Sequence, residues 1–335
     1  MKTGKNYKVV IVGCGSIGQK RADSLEGAVL VGCCDININT AKEFSKKNND
    51  IPYFDNYSSL IKELKFDLAI LSTTHNALPT LIQKSINAYK HILVEKPAGI
   101  NFNDLQNLEL LAKKNKLIIH VGFNHRFHRA IRKAKEIIDS GDLGELMFLR
   151  GRYGHGGRLG YDQEWRSKPE LSGGGELIDQ GSHLIDLSRY FFGDFKLVTG
   201  YAKTYYWNMV VDDNAFMILE NNKGNIAHLQ VSCTEWKNMF SLEIYGKKGK
   251  IDVNGLGGSY GVEKITFYKM LPQMGPPNTC SWEYPTKDDS WKYEFQQFIQ
   301  KVETKNNTSP NLLDAIENLK IINKIYKQSG YDYYS

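Results

Sequence analysis

Apolar and polar positions follow two different rhythms along this chain, and the change falls near residue 123. Before it, short continuous apolar runs alternate with stretches of helical spacing. The runs KVVIVG (8–13), AVLVGCC (28–34), FDLAILST (66–73), HILVEK (91–96) and LIIHVGF (117–123) read as strands buried on both faces. Helical patterns lie between them at 17–25, 40–48, 78–89 and 103–115. Strands that alternate with helices predict an α/β fold, a doubly wound parallel sheet with helices on both faces.

After residue 123 the pattern changes. Helices are predicted at 128–140 and 179–192, and strands rich in aromatic and β-branched residues at 146–153, 196–207, 214–221, 225–233, 239–245, 249–253 and 262–269. Short turns such as NNKGN (221–225) and GKKGK (246–250) separate some of them, the mark of a mostly antiparallel sheet. The Pro- and Gly-containing stretch 271–285 reads as a loop, and amphipathic helices at 289–303 and 311–328 follow it. The resulting division is residues 1–123 and 124–335, with the last helices able to pack back on the first domain. The sequence shows no internal repeat and no low-complexity tract.

Composition narrows the class further. The 335 residues are 41% hydrophobic and 24% charged, ordinary for a globular protein of about two domains. The net charge of +6 is spread out with no basic run, which argues against a nucleic-acid partner. No apolar run approaches the length of a membrane span, and the N-terminus lacks a signal-peptide pattern. Five cysteines without CxxC spacing read as reduced thiols. Together these features lead us to expect a cytoplasmic protein.

The first chemical signal is Gly13-x-Gly15-x-x-Gly18, placed after a strand and opening a helix. A bare GxGxxG is weak evidence, but this one sits in the first βα turn. Asp35 closes the next strand, 17 residues beyond Gly18. The combination is a dinucleotide fingerprint. It places a pyrophosphate on the helix start at Gly13, Gly15, Ser16, Ile17 and Gly18. Asp35 would accept hydrogen bonds from the ribose and repel a 2′-phosphate, and Ile36 and its neighbours offer no arginine. The expected cofactor is therefore NAD, not NADP. The rival reading is a tight turn and a capping aspartate with no cofactor.

Ligands of open parallel sheets gather at the carboxyl ends of strands. Two segments fall there: Ser72-Thr73-Thr74-His75-Asn76 and Glu95-Lys96-Pro97. Taken alone, Glu95 and Lys96 could equally be an ion pair at the sheet rim. With the glycine fingerprint before them and GGGELIDQGSHLID (173–186) after them, the chain closely resembles the Gfo/Idh/MocA family of sugar oxidoreductases over essentially its whole length. The resemblance implies an N-terminal Rossmann domain and a C-terminal domain with an open, mostly antiparallel sheet. It also implies NAD(P)-dependent hydride transfer at a carbinol or keto carbon of a sugar, cyclitol or nucleotide sugar, and a cis Lys96–Pro97 bond. Lys96, Asp179 and His183 match the family's catalytic lysine, aspartate and histidine. GFNHRF (122–127), with Asn124, resembles its interdomain segment, and Trp165-Arg166 a dipeptide near the cofactor. One departure is STTHN (72–76): many members have proline after the threonine and a histidine downstream, where this chain has Thr74 and Leu78.

Asp179 and His183 are i and i+4, so they share one helix face. Histidine has the unperturbed pKa of a general base for a hydroxyl proton. Asp179 would orient it or contact the sugar, and Lys96 would donate to the reacting oxygen. Gly173 to Gly175 would let the chain pass close to a bound ring. The alternative for His183 is a satisfied core histidine. A zinc site built on Asp-x3-His with His125, His128 or His155 is the other rival. No cysteine or carboxylate cluster accompanies these residues, so no metal is expected.

The polar and aromatic segment 150–175 leads into that helix and supplies expected substrate contacts from Tyr153, Arg158 and Tyr161. Its arginines would suit an anionic, nucleotide-linked sugar, or else pair with Asp162, Glu164 and Glu170 in a solvated loop. Trp236 reads either as a pocket residue or as a packed sheet residue. With Lys96, Asn124, Asp179 and His183, these complete the expected substrate set. Two rival functions remain: a glycoside hydrolase working through transient oxidation, and a non-catalytic NAD-binding protein. Strand 225–233 and its neighbours are apolar on both alternations, which predicts a homodimer or homotetramer through the C-terminal sheet.

Overall fold

The computed structural model describes residues 6–331. They fall into two compact units: the chain through Phe123 together with Trp291–Ile316, and Asn124–Ser290 together with the chain from Glu317 onward.

In the first unit the elements alternate as β1 (Tyr7–Val12), α1 (Ser16–Asp23), β2 (Ala28–Cys34), α2 (Ile38–Lys47), β3 (Tyr53–Phe54), α3 (Tyr57–Glu63), β4 (Leu68–Leu71), α4 (Leu78–Asn87), β5 (His91–Glu95), α5 (Phe102–Lys114) and β6 (Ile119–Gly122). Every strand pairing is parallel and the order is β3-β2-β1-β4-β5-β6. This is the dinucleotide-binding order, whose reversal point lies between β1 and β4. The central strands carry continuous apolar runs because both faces are covered: Val9–Val12, Leu68–Leu71 and Ile92–Val94 are all buried. Asparagine side chains cap the exposed helix starts, Asn37 on α2, Asn56 on α3 and Asn101 on α5. The short β3 and α3 escape the apolar periodicity, since two residues make no pattern. Phe295, Phe298 and Val302 join the core around Ile11, Ile70, Leu93 and Ile118.

In the second unit, α6 (Arg129–Asp139), β7 (Leu146–Gly154), α7 (Pro169–Ser172) and α8 (Glu176–Phe192) precede a run of strands. These are β8 (Phe195–Lys203), β9 (Asn214–Asn221), β10 (Ile226–Ser232), β11 (Met239–Gly246), β12 (Gly249–Asn254), β13 (Glu263–Lys269) and β14 (Asn278–Tyr284). Helix α9 (Ser290–Thr304), which belongs to the first unit from Trp291 on, and α10 (Leu312–Ser329), which belongs to the second from Glu317 on, follow. The eight strands form one sheet in the order β14-β13-β12-β11-β7-β10-β9-β8, antiparallel except for the β7–β10 pair. Burial alternates along its strands, as on β11 and β8, because one face is covered. Gly151 of β7 leaves room for Leu184 of α8 on that face.

Two element expectations need correction. The stretch 271–285 is not all loop: β14 pairs antiparallel with β13 from Glu263↔Tyr284 to Lys269↔Asn278. Its prolines flank the strand, Pro272, Pro276 and Pro277 before it and Pro285 after it, and an edge strand tolerates mixed polarity. The strand expected to reach residue 207 stops at Lys203, where Asp213 draws the chain into a loop. Helix α8 also begins a turn earlier than its apolar pattern, so Asp179 stands inside the helix with its amide bonded to the Gly175 carbonyl.

Candidate functional site

The glycine turn of the first unit is dictated by its own backbone. Gly13 has φ +94°, a left-handed value that favours glycine, and a side chain there would collide with the Ser72 carbonyl. A side chain at Gly18 would collide with the Gly13 carbonyl. Ser72 Oγ donates to the Gly13 carbonyl at 2.8 Å, which locks the turn to the end of β4. Gly15 is different. A Cβ there would meet nothing within 4 Å. Asp35 sits at the end of β2, and its two oxygens accept the amides of Cys14 and Asn37, both at 2.9 Å. Ile36 beside it is fully open to solvent.

Of the other strand-end residues, Thr74 Oγ1 bonds Asn76 Oδ1 at 2.8 Å and His75 is buried. The Lys96–Pro97 bond is cis, as the family resemblance implies. Lys96 itself is half-buried. Glu95 is directed inward. Its Oε1 accepts from Arg21 Nε at 2.7 Å, and Arg21 also donates to Glu294 Oε2 at 2.5 Å while lying 4.4 Å over the Trp291 ring. Burial pushes the Glu95 carboxyl up and Arg21 partly offsets it. Such a buried charge cluster loses most when one partner is removed.

The second unit gathers Asn124, Tyr153, Tyr161, Arg166, Asp179 and His183 around α8. His183 is buried, and the ring of His125 stacks on it with centroids 3.7 Å apart. Asn124 Oδ1 holds His125 Nδ1 at 3.1 Å. Tyr153 of β7 stands edge-on to His183 at 6.2 Å and to Tyr260 at 5.0 Å. Burial, with Tyr260 beside it, drives the Tyr153 phenol far up, so it stays a neutral donor. One turn before His183, Asp179 Oδ2 accepts from Arg166 Nε at 2.8 Å, and Arg166 lies 4.7 Å over the Trp165 ring. One turn earlier still, Glu176 Oε1 accepts from the Tyr161 hydroxyl at 2.5 Å and lies 3.5 Å from His155 Nε2.

Two glycines of the triplet have a packing reason. A Cβ on Gly175 would collide with the Asp212 backbone, and one on Gly174 with the Tyr326 hydroxyl. The buried Asp212 carboxylate accepts the Gly175 and Leu177 amides at 2.9 and 2.7 Å and the Tyr326 hydroxyl at 2.7 Å. The start of α8 is therefore capped by Asp212 from another segment, within one turn of Asp179. Arg158, expected at the substrate, is exposed and paired with Glu164 at 2.7 Å. Trp236 is not packed in the sheet; it is 64% exposed and stands edge-on to Tyr206. Among the described residues no group of three or more His, Cys, Asp or Glu side chains could hold a metal ion. Nor, among the described residues, is any helix long and apolar enough to cross a membrane.

Comparison with known proteins agrees with this geometry. A family model for an oxidoreductase family, NAD-binding Rossmann fold, matches residues 7–123, and the GFO/IDH/MocA C-terminal domain model matches residues 131–252. The chain belongs to the Gfo/Idh/MocA family. It is 27% identical over 194 residues to myo-inositol 2-dehydrogenase of Thermotoga maritima, across 56% of this chain and 55% of that protein. It is 23% identical over 305 residues to inositol 2-dehydrogenase of Salmonella typhimurium, across 88% of this chain and 85% of that protein. The chain thus spans about half the length of the first relative and most of the second. A solved levoglucosan dehydrogenase in complex with NADH shares the fold with a TM-score of 0.86 at 18% identity, covering 97% of each chain.

As a Gfo/Idh/MocA protein, the chain belongs to an oxidoreductase family with an NAD-binding Rossmann fold, and its first unit fits the dinucleotide. Helix α1 starts at Gly15 with no side-chain cap and no acidic residue in its first turn. Its amides and dipole therefore point into the open space beside Gly15, where a pyrophosphate is favoured. Bound there, NAD would supply a nicotinamide able to accept or donate a hydride.

Sequence reasoning missed His125 as the partner of His183, Glu176 as the anchor of Tyr161, and Asp212 and Tyr326 as the clamp on α8. The chemistry-bearing VDD (211–213) was a signal for the clamp. The Gly-Phe-Asn-His-Arg-Phe string was one for His125.

Proposed function

We propose that the protein transfers a hydride between NAD and a carbinol or keto carbon of a sugar or cyclitol, with His183 as the base for the hydroxyl proton. The observation that carries this reading is the His183 imidazole, buried and braced by the flat ring of His125, one helical turn from the Asp179–Arg166 pair. Asp179 holds its place through Arg166 and orients the substrate or the imidazole. Lys96 donates to the reacting oxygen, and the Tyr153 phenol and Asn124 amide bind hydroxyls. Gly13 to Gly18 and Asp35 hold NAD, with Ser72 to Asn76, Trp165 and Arg166 serving the nicotinamide side. Glu95 acts through Arg21 to fix the end of β5 on which Lys96 stands. The relatives named as inositol and levoglucosan dehydrogenases support the substrate class.

The test is NADH formation with a panel of monosaccharides, cyclitols and glycosides. Turnover on at least one, abolished by His183→Ala, is expected. No reduction of NAD by any of them would sink the reading.

The open face of the second unit's sheet supports a homodimer or homotetramer. Leu197, Tyr201 and Ile218 are each more than half exposed there. The free cysteines fit a cytoplasmic setting.

A further inference from the structure

Beside the segment that carries Tyr161, three aromatic rings form a patch on the second unit. Tyr206 is 61% exposed and Trp236 is 64% exposed. The Tyr206 ring stands edge-on to Trp236 at 4.7 Å and to Trp207 at 5.2 Å. Trp207 is anchored: its Nε1 donates to the Cys233 carbonyl at 3.1 Å, and its ring lies 5.6 Å from that of Tyr161.

The backbone is arranged to display these rings. The buried Asp213 carboxylate accepts the amides of Tyr205, Tyr206 and Trp207 at 2.9, 2.7 and 3.1 Å. One carboxylate therefore fixes the loop while Tyr205 and Tyr206 stay exposed and Trp207 is half-buried. Trp236 has φ +56°, a left-handed conformation that bulky residues rarely adopt, although most of its ring stays in water. A Cβ at Gly157 would collide with the Trp207 ring, so the polar segment and the aromatic loop lie in close apposition. Rings held rigidly in solvent gain no burial energy from folding, and such patches mark ligand or partner sites.

Charge decides what the rings would stack. The four arginines of the neighbouring segment are each paired with a carboxylate: Arg150 with Glu243, Arg152 with Glu235, Arg158 with Glu164 and Arg166 with Asp179, all within 3.1 Å. A diphosphate would have to displace one of these partners. An uncharged ring needs only aromatic faces and polar edges.

We infer that Tyr206, Trp207 and Trp236 form a distal subsite that stacks a second, uncharged sugar ring, so that the preferred substrate is a disaccharide or other glycoside oxidised on its proximal ring. This rests on the sugar-oxidoreductase reading above. The chain of contacts runs from Trp207 to Tyr161, from Tyr161 to Glu176, and along α8 from Glu176 to Asp179 and His183.

The NAD-loaded protein is titrated with glucose, galactose, cellobiose, maltose, lactose and UDP-glucose, with tryptophan emission and NADH formation both followed. At least one disaccharide is expected to bind about tenfold or more tighter than its component monosaccharides. Tyr206→Ala and Trp236→Asn, the latter tolerant of a left-handed backbone, are expected to reduce that ratio to near one at an unchanged Tm, whereas Trp236→Phe retains most of it. The inference is overturned if no disaccharide surpasses its monosaccharides, if UDP-glucose binds more tightly than every disaccharide, or if the variants leave the ratio intact. Disaccharide binding seen by emission without NADH from any sugar would keep the subsite and fail the oxidoreductase reading.

Discussion

The imidazole of His125 lies flat on that of His183, with the two planes 21° apart. A ring held on one face by another ring, with Tyr153 edge-on beside it, has little freedom left about χ2. That rigidity is what a general base needs, because proton transfer is sensitive to small displacements. His183→Ala is expected to lower turnover by about 10²–10⁴-fold with NAD affinity nearly unchanged. In the proposed mechanism His125 acts as a positioning residue, through its stacking on His183. His125→Ala should cost about tenfold in kcat with little change in KM, and His125→Phe, which restores a flat ring, should recover most of it. Normal turnover by His183→Ala would refute the assignment.

Asp179 is bonded to Arg166, so its replacement has two components. Asp179→Asn keeps an acceptor for the guanidinium and should cost less turnover than His183→Ala. Asp179→Ala leaves Arg166 without its main partner and should cost more than the asparagine variant. Steady-state kinetics of the three variants on one substrate rank them; an alanine variant equal to the asparagine variant removes the ion pair from the account.

Asp35 spends both oxygens on backbone amides, so its charge is fixed at the end of β2. NAD is expected to bind at least tenfold more tightly than NADP, about 1.4 kcal/mol, and Asp35→Ser should narrow the gap. Titration of both cofactors decides it. Equal affinity in the unaltered protein would contradict the electrostatic argument.

Stability should carry a histidine signature. Burial works against a charged His155, but the hydrogen bond and charge of Glu176 outweigh it and raise the imidazole above its ordinary range. A raised pKa means that the folded chain binds the proton more tightly than the unfolded one. The contribution is full below about pH 6.5 and is lost as pH rises through the folded value. The Tm difference between wild type and His155→Asn should therefore be largest in mild acid and shrink on the alkaline side. A difference that grows with pH would reverse the sign.

The open sheet face gives a further test. Ile218→Lys places a charge among Leu197, Tyr201 and neighbouring exposed apolar side chains. Light scattering should show an oligomer for wild type and a smaller species for the variant. A wild-type monomer at micromolar concentration would exclude this interface.

Much of this architecture could be read from apolar periodicity. Doubly buried strands announce themselves as unbroken runs, and the strands of the second unit by alternation under α8. What stayed hidden depends on contacts between distant segments. Nothing near Gly175 indicates that Asp212 and Tyr326 fill the space beside it. Nothing in the EKP string indicates that Glu95 turns away to Arg21. The edge strand β14 carries too few buried residues to leave a hydrophobic trace.

The single parallel pair in the second sheet has a consequence for how this protein can change. Because β7 and β10 run the same way, the chain leaves both at one end of the sheet, and the two exits are stitched together: the His155 amide bonds the Ser232 carbonyl at 2.9 Å and the Glu235 amide the His155 carbonyl at 3.0 Å. The polar segment leading to α8 and the short loop bearing Trp236 therefore behave as one replaceable head on a fixed stem. If the proposed substrate contacts hold, exchanging these two neighbouring segments would alter what is bound while leaving the strands, α8 and its Asp212 clamp in place.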